Sequence, residues 1–458
     1  MLSPRSGRQN STRWVVVSGG PPGRKIFDFL CWYRWLRFAC RPATVIGASG
    51  AIGNVTATAT ATDTETATDT ETETATATGS ITQNPEPRTH NPQPGGRRRY
   101  TLCVRIAIDC RKVADFGIGT YIRGLIHALS AREGNETWIF LAPEKHRSLL
   151  PETKSTQFVA ADSPHYSVRE LFAIGSAVRK LDVDLFHAPH YVVPFTTLPM
   201  VVTIHDLIHL HLPARRAMDR GYARWMIGRA VAQSRRVLTV TAAVGEDIAA
   251  HYPDARDKLV VTPNGIDSAF SPFGGQGDGA IMEKLRIEPT GYFLFVGNRK
   301  PHKNVARLLD AWTRMADSGL RLVLAGGDWS GADLPPNAIA AGFVSLEELA
   351  ALYRNALGVI QPSLEEGFGL PVAEAMASGA PVIASRISSL MEVAGDACIP
   401  IDPHDPGTIA DAMLAIAGDT ALRERLRTLG IERAKTFTWE RCADLTLAAY
   451  REAFSGAL

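Results

Sequence analysis

An excess of charge of either sign is what this 458-residue sequence most plainly lacks: 49 lysines and arginines are set against 47 aspartates and glutamates, a formal net charge of +2. No overall field therefore points toward nucleic acid or an acidic surface, and partners must be inferred from local sites. Cysteine is scarce and scattered. The six, at 31, 40, 103, 110, 398 and 442, form no CxxC pair and no Cys/His cluster at zinc-ligand spacing, and a reducing cytosol is the simplest setting for them. Long apolar runs are missing too. The stretch IFDFLCWYRWLRFAC at 26–40 is broken by Asp28, Arg34 and Arg37 and falls short of the roughly 20 uninterrupted apolar residues of a spanning helix. It also starts too far into the chain, and lacks a small-residue cleavage site, for a secretory signal. A cytoplasmic location is the expectation, with a peripheral contact at the inner face of the membrane left open.

What is present divides into a tail and a patterned remainder. From Thr56 to Thr78 every even position is threonine, interleaved with Ala, Asp and Glu, and neither face of this alternation carries a large apolar side chain to bury. Residues 1–100 are therefore expected to be a disordered low-complexity extension. They are expected to be dispensable, and an upstream extension of the reading frame with initiation near Val104 would account for them; an interaction tail or a glycosylated stalk is the functional alternative. Past the GGRRRY segment the texture changes at CVRIAIDC, 103–110.

From Val104 onward short apolar runs alternate with helical periodicity. VRIAID, TWIFLA, LFHAP, MVVTIHD and RVLTVT form a first series, with Ile122, Leu125, Ile126 and Leu129 at helical spacing after the first run. A second series runs YFLFVGN, RLVLAGG, GVIQPS, PVIAS and ACIPID, and its first helix carries Val305, Leu308, Leu309, Trp312 and Met315 on one face. Such alternation predicts two parallel sheets covered on both faces, that is, two Rossmann-like doubly wound α/β domains facing a cleft. The Pro- and Gly-rich stretch 260–279 reads as the linker. The expected domains are 101–270 on the first side and 271–437 on the second.

The sharpest local signal is EEGFGLPVAEAMASGAPVIAS, 365–385, with Glu366 and Glu374 eight positions apart around a Gly-Phe-Gly-Leu-Pro loop. Pro371 suits the first turn of a helix, and Gly379 suits its end. Glu366 then lies in the loop at a strand's carboxyl end and Glu374 about one turn into the helix. Gly367 and Gly369 let backbone amides approach an anion, whereas the two carboxylates suit hydroxyls. A ligand with both phosphate and sugar parts satisfies the two together. Cations to balance a diphosphate lie in GNRKPHKN, 297–304, where Lys303 is the first choice and Arg299 the second; taken alone, this segment would read as a solvated basic turn. Gly117 and Gly119 after the first strand allow a similar backbone approach, and a plain tight turn explains them equally well. His205 closes an apolar run at a strand end, beside Asp206, and is expected to line the cleft. No further ligand completes a metal set with His209 and His211, which read as ordinary loop residues.

The stretch PSLEEGFGLPVAEAMASGAPVIAS, together with FVGNRKPHKN, PNGID and HDL, closely resembles the retaining nucleotide-sugar glycosyltransferases of the GT-B fold, in the large group called family 4 or group 1. The resemblance covers Val104 to the C-terminus. It implies a donor held mainly by the second domain and an acceptor mainly by the first. By position, Glu374 matches the carboxylate that binds the nucleotide ribose. Glu366 matches the one that meets donor sugar hydroxyls near the reacting carbon, with Gly367, Phe368, Gly369 and Leu370 as backbone contacts. Lys303 matches the diphosphate-binding lysine, whose usual arginine partner falls in the neighbourhood of Asn298 and Arg299, and His205 matches a histidine near donor sugar and acceptor. The family also ends with a helix that crosses back onto the first domain. Residues 438–458 fit, with Trp439, Leu445, Leu447, Ala448 and Tyr450 as apolar contacts.

The resemblance further implies anomeric retention with no metal and no cofactor, and the cleft segments hold no convincing DxD-type pair. Front-face transfer is the expected route, with double displacement through Glu366 as the alternative. The expected donor is a GDP- or UDP-sugar, with a lean toward GDP-mannose, and the expected acceptor a glycan or a lipid-linked glycan. A GT-B epimerase, a pyridoxal-phosphate-dependent phosphorylase and a non-catalytic sugar-nucleotide-binding protein are the competing readings.

Overall fold

The apolar runs become strands, and a computed structural model describes residues 104–162, 168–211, 217–275, 277–315 and 317–455. The expectations for residues 1–100 fall outside these. The first series forms a seven-stranded sheet from β1 (Val104–Asp109), β2 (Glu136–Ala142), β3 (Thr156–Ala160), β4 (Leu185–Ala188), β5 (Met200–Ile204), β6 (Arg236–Thr239) and β7 (Leu259–Val261). Their order across the sheet is β3-β2-β1-β4-β5-β6-β7 and every pairing is parallel. The second series gives β8 (Tyr292–Val296), β9 (Arg321–Ala325), β10 (Ala338–Gly342), β11 (Gly358–Gln361), β12 (Val382–Ser385) and β13 (Cys398–Ile401), all parallel in the order β10-β9-β8-β11-β12-β13.

Both orders have the doubly wound form, in which the chain runs outward one way from the first strand and then returns to run out the other way. The carboxyl ends of the two strands flanking that reversal diverge and leave a crevice, where ligands bind in such sheets. In the first sheet it lies between β1 and β4, in the second between β8 and β11. The central strands are buried along their whole length, as β5 and β8 show, because helices cover both faces.

The first-series helix Ile118–Ser130 turns Ile122, Leu125, Ile126 and Leu129 into the core beside β1. In the second lobe the helix Val305–Thr313 buries Leu308 and Trp312 against Phe293 and Phe295 of β8, with Met315 just beyond it. The C-terminal helix Trp439–Ser455 packs on the first sheet's core, not the second's. Its inward residues are Cys442, Ala443, Leu447, Ala449 and Tyr450. Ala448, expected to face inward, is exposed instead. The helical turn of about 100° per residue puts its neighbours Leu447 and Ala449 at the two edges of the buried stripe and Ala448 outside it. The Tyr450 hydroxyl bonds His187 Nδ1 at 2.7 Å, so this last helix is tied to β4 by a buried polar contact as well as by apolar area.

The stretch read as a linker begins inside β7 and ends with the beginning of a helix Asp278–Leu285 whose Ile281 and Met282 belong to the second core. Phe270, placed on the first side by the sequence reading, packs into that second core against the Tyr353 ring.

Candidate active site

The second sheet's crevice assembles the charged groups. β8 ends at Val296, and the chain passes through Gly297 into a short 3-10 turn, Pro301–Lys303. The turn closes on Asn304, whose left-handed backbone (φ 59°) suits an asparagine. Its buried side-chain amide donates to Pro362 O at 2.9 Å and Pro403 O at 2.6 Å, and the Leu364 N–H donates to His302 O at 2.7 Å. Two of these bonds fasten the turn to the loop after β11 and the third to the segment after β13, and together they set Lys303 opposite Glu366.

Lys303 Nζ donates to Glu366 Oε1 at 2.6 Å. Gln361 Nε2 at 2.8 Å and Ser363 Oγ at 2.7 Å donate to the same oxygen, so three donors converge on one carboxylate atom. Burial by itself would raise the Glu366 pKa; the Lys303 charge and these hydrogen bonds outweigh it and hold the carboxyl below the usual range. Glu366 is therefore an anion, and Lys303 a cation, in a partly dehydrated crevice. Its backbone is pinned as well, by the Ser389 hydroxyl donating to Glu366 O at 2.6 Å.

Gly369 then takes φ 83°, open to glycine at little cost, and a Cβ there would come within 2.3 Å of Leu390 Cδ2. The helix Leu370–Ala377 follows, with Pro371 in its first turn. Glu374, one turn in, is buried and accepts from the Tyr353 hydroxyl at 3.0 Å. Burial dominates here and pushes its pKa up to about 7; the Tyr353 bond and the Lys303 charge only partly oppose it. The two acids of one loop thus sit on opposite sides of the ordinary carboxylate value. Phe368 turns its ring inward, edge-on to Phe437 at 5.3 Å. Leu370 opens the helix and is half-buried.

The first lobe meets this loop directly. A Cβ on Gly367 would lie 1.9 Å from His205 O, so only glycine lets the two backbones approach this closely. The Thr241 hydroxyl donates to Gly367 O at 2.9 Å. His205 sits just past β5, with Nε2 3.0 Å from Pro189 O and its ring edge-on to Tyr121 at 4.7 Å. A carbonyl only accepts, so Nε2 carries the proton and Nδ1 of the neutral ring is an acceptor. Burial lowers the His205 pKa, against the Pro189 bond and Asp206, and keeps the ring neutral.

Not every sequence candidate joins this group. Arg299 is exposed and, with Pro301, Trp329 and Asp333, lines a cavity of about 280 Å³. Gly117 takes φ 40° at the start of its helix, and Gly119 is required because a Cβ there would meet Val113 O at 2.7 Å; both explain the turn itself. The histidines after β5 disperse, His209 lying edge-on to Tyr191 and His211 reaching Glu365 and Asp247. The sequence reading does not reach Gln361, Ser363, Ser389 and Tyr353, whose strand-end and helix positions bring them to the two acids, or Asn304, which fastens the turn that carries Lys303.

At the first sheet's crevice stands another ion pair. Asp109, at the end of β1, accepts from Arg111 Nε at 2.8 Å and Nη2 at 2.6 Å. Burial would raise the Asp109 pKa, yet the Arg111 charge and bonds bring it down to about 2, while burial takes the neighbouring His190 down to about 3.

Two doubly wound lobes meeting across a crevice that holds a lysine, two carboxylates and a neutral histidine define the GT-B class of glycosyltransferase fold. Residues 279–433 match the family described as Glycosyl transferases group 1, and residues 117–270 match Glycosyltransferase Family 4. The chain is 29% identical over 289 residues to the O-antigen chain mannosyltransferase B of Escherichia coli, covering 60% of this chain and 76% of that one. It is 30% identical over 283 residues to the D-inositol 3-phosphate glycosyltransferase of Corynebacterium glutamicum (strain R), covering 56% and 68%. Among solved structures, Anabaena HepE in complex with UDP-glucose superposes with a TM-score of 0.62 at 15% identity over 76% of this chain and 99% of that one, a likeness of fold alone. The chain belongs to the group 1 glycosyltransferases and is a transferase enzyme.

Proposed function

We propose that this enzyme moves a hexose from a nucleoside-diphosphate sugar to a hydroxyl of a glycan or lipid-linked glycan, with retention of anomeric configuration and without a metal at the diphosphate. The observation that carries the reading is the Lys303–Glu366 pair, 2.6 Å apart at the second sheet's crevice, where the helix start after Gly369 adds favourable potential for an anion. A diphosphate entering there takes Lys303 as its counter-cation and releases Glu366 to accept from sugar hydroxyls. Glu374 accepts from the ribose, and the neutral His205, with Nδ1 as acceptor, faces the sugar from the first lobe. The backbone of Gly367 to Leu370 lies along the donor.

The step balances without a cofactor. The bond from C1 to the phosphate oxygen breaks as the acceptor oxygen bonds C1 on the same face; the acceptor's proton passes to the departing phosphate oxygen, and a nucleoside diphosphate leaves. Lys303 stabilises the charge that builds on that oxygen. UDP-glucose is bound by HepE, and the E. coli relative is a mannosyltransferase; on the second likeness GDP-mannose is the first donor to try. A thermal-shift screen against UDP-, GDP- and ADP-sugars selects the donor. Transfer to a lipid-linked glycan acceptor, with the product's anomeric proton coupling read by NMR, then tests the chemistry. Retained configuration without added metal supports it; inversion, strict dependence on Mg²⁺, or donor epimerised without acceptor contradicts it.

A further inference from the structure

On the first lobe, outside the crevice, two histidines and a carboxylate converge. His211 ends the short helix after β5, and Asp247 and His251 stand one turn apart on the helix Ala242–His251. One ligating atom from each lies within 4.8 Å of the others. Their side chains are about one third exposed, 35%, 32% and 29%, so an ion from solvent can reach them.

The hydrogen-bond chemistry of His211 is what points to a cation. Its Nδ1 lies 2.7 Å from Glu365 Oε1 and its Nε2 3.4 Å from Asp247 Oδ1, so each ring nitrogen faces a carboxylate. A cation seated between Nε2 and Asp247 satisfies both, and two of the three separations within the cluster suit a metal ion. Bonds of about 2.0–2.1 Å to zinc in a tetrahedron put neighbouring ligand atoms about 3.3 Å apart. Asp247 Oδ1 stands 3.4 Å from His211 Nε2 and 3.3 Å from His251 Nδ1. His251 Nδ1 also donates to Asp247 O at 3.0 Å, and an arriving ion takes the place of that proton, as metals do on binding imidazole. Glu365 completes the arrangement, because histidine ligands of metals commonly give their other ring N–H to a carboxylate.

We propose that His211, Asp247 and His251 bind one divalent transition ion of zinc's class, with Glu365 as the outer carboxylate that orients His211. Two imidazoles and one carboxylate select borderline ions of this kind over Mg²⁺ or Ca²⁺. The ion is remote in function from bond cleavage. Its link to the transferase site is Glu365, which precedes Glu366 in the loop of the opposite lobe, so a bound ion ties the first lobe to that loop.

The full-length chain, stripped with EDTA, is titrated with Zn²⁺ by calorimetry, and Co²⁺ is added separately as a visible-absorption probe. One Zn²⁺ per chain is expected, with the Co²⁺ bands of a histidine-bound ion. His211→Ala and His251→Ala each remove this binding and the bands, and Glu365→Gln weakens affinity by about 10- to 100-fold. Asp247→Asn, which keeps the side chain's shape, serves as the readout should an alanine variant not fold. Absence of Zn²⁺ binding by the wild type, meaning that a proton occupies the gap, overturns the proposal. So does unchanged affinity and stoichiometry in the histidine variants. Unchanged affinity in Glu365→Gln overturns the role given to Glu365. None of these measurements needs donor or acceptor, so they stand apart from the fate of the transfer reaction.

Discussion

The two sheets share one strand order, with β7 added at the edge of the first, yet their crevices hold ion pairs of opposite character. At the first, the side chains of Arg111 and Asp109 are 1% and 0% exposed. At the second, those of Lys303 and Glu366 are 14% and 10% exposed. A pair sealed from water and met by two parallel guanidinium bonds is a structural element whose charges have no room for a ligand. A pair left partly open can exchange one partner for an incoming anion. Topology supplies the crevice in both lobes, and the degree of closure decides whether it acts.

The contrast can be broken at either end. The largest effect is expected from Asp109→Ala, which removes the buried carboxylate paired with Arg111; loss of one partner of a buried pair costs about 3–5 kcal/mol, read as a lower midpoint in urea. The sealed pair should also show in acid. The Asp109 pKa is depressed to about 2, so its contribution is full above the ordinary carboxylate value and is lost as pH falls from about 4 to about 2. By linkage that is about 2 kcal/mol, measurable as a fall in melting temperature that Asp109→Asn does not share.

Lys303→Ala should do the reverse, with little change in melting temperature and turnover lower by about 10²–10³, or about 3–4 kcal/mol of lost charge stabilisation. Steady-state kinetics with saturating donor read it. Should Lys303→Ala unfold the protein while Asp109→Ala spares it, the division between sealed and open pairs is wrong.

Glu374→Ala is next, weakening donor binding by one charged hydrogen bond, about 1.5–3 kcal/mol. The Glu374 pKa is raised to about 7, so the stability it contributes is full below the ordinary carboxylate value and is lost as pH rises through about 7. Donor affinity moves the other way, since the ionised form is the better acceptor for ribose hydroxyls. Calorimetric titrations should show donor binding tighten as pH rises past about 7 in the wild type and stay flat in Glu374→Gln. The smallest effect is that of Tyr353→Phe, which removes a donor from Glu374 and should move this pH midpoint upward with a loss of about 1 kcal/mol or slightly more.

Periodicity made most of the fold legible before any coordinates. Uniformly apolar runs such as YFLFV could only be buried strands, and both ends of the helix after Gly369 were readable in Pro371 and Gly379. Strands β3, β7 and β10 were not marked out, because at the edges of their sheets they are only partly buried and carry weak patterns such as TQFVA and AIAAG. In the site, the glycine loop showed where Glu366 and Glu374 lie, but not that one would be held ionised and the other pushed to about 7. That difference comes from Gln361, Ser363, Lys303 and Tyr353, which reach the acids from different elements. The same limit hid the cluster of His211, Asp247 and His251, since two helices separated by a further helix, Ala217–Gln233, and β6 bring it together.

Calorimetric binding of a nucleoside and of its diphosphate, compared in the wild type and in Lys303→Ala, tests most directly whether the open crevice receives a diphosphate. The wild type should bind the diphosphate of its preferred base far more tightly than the nucleoside, and Lys303→Ala should lose most of that preference while still binding the nucleoside. An equal preference in both proteins would place the diphosphate elsewhere.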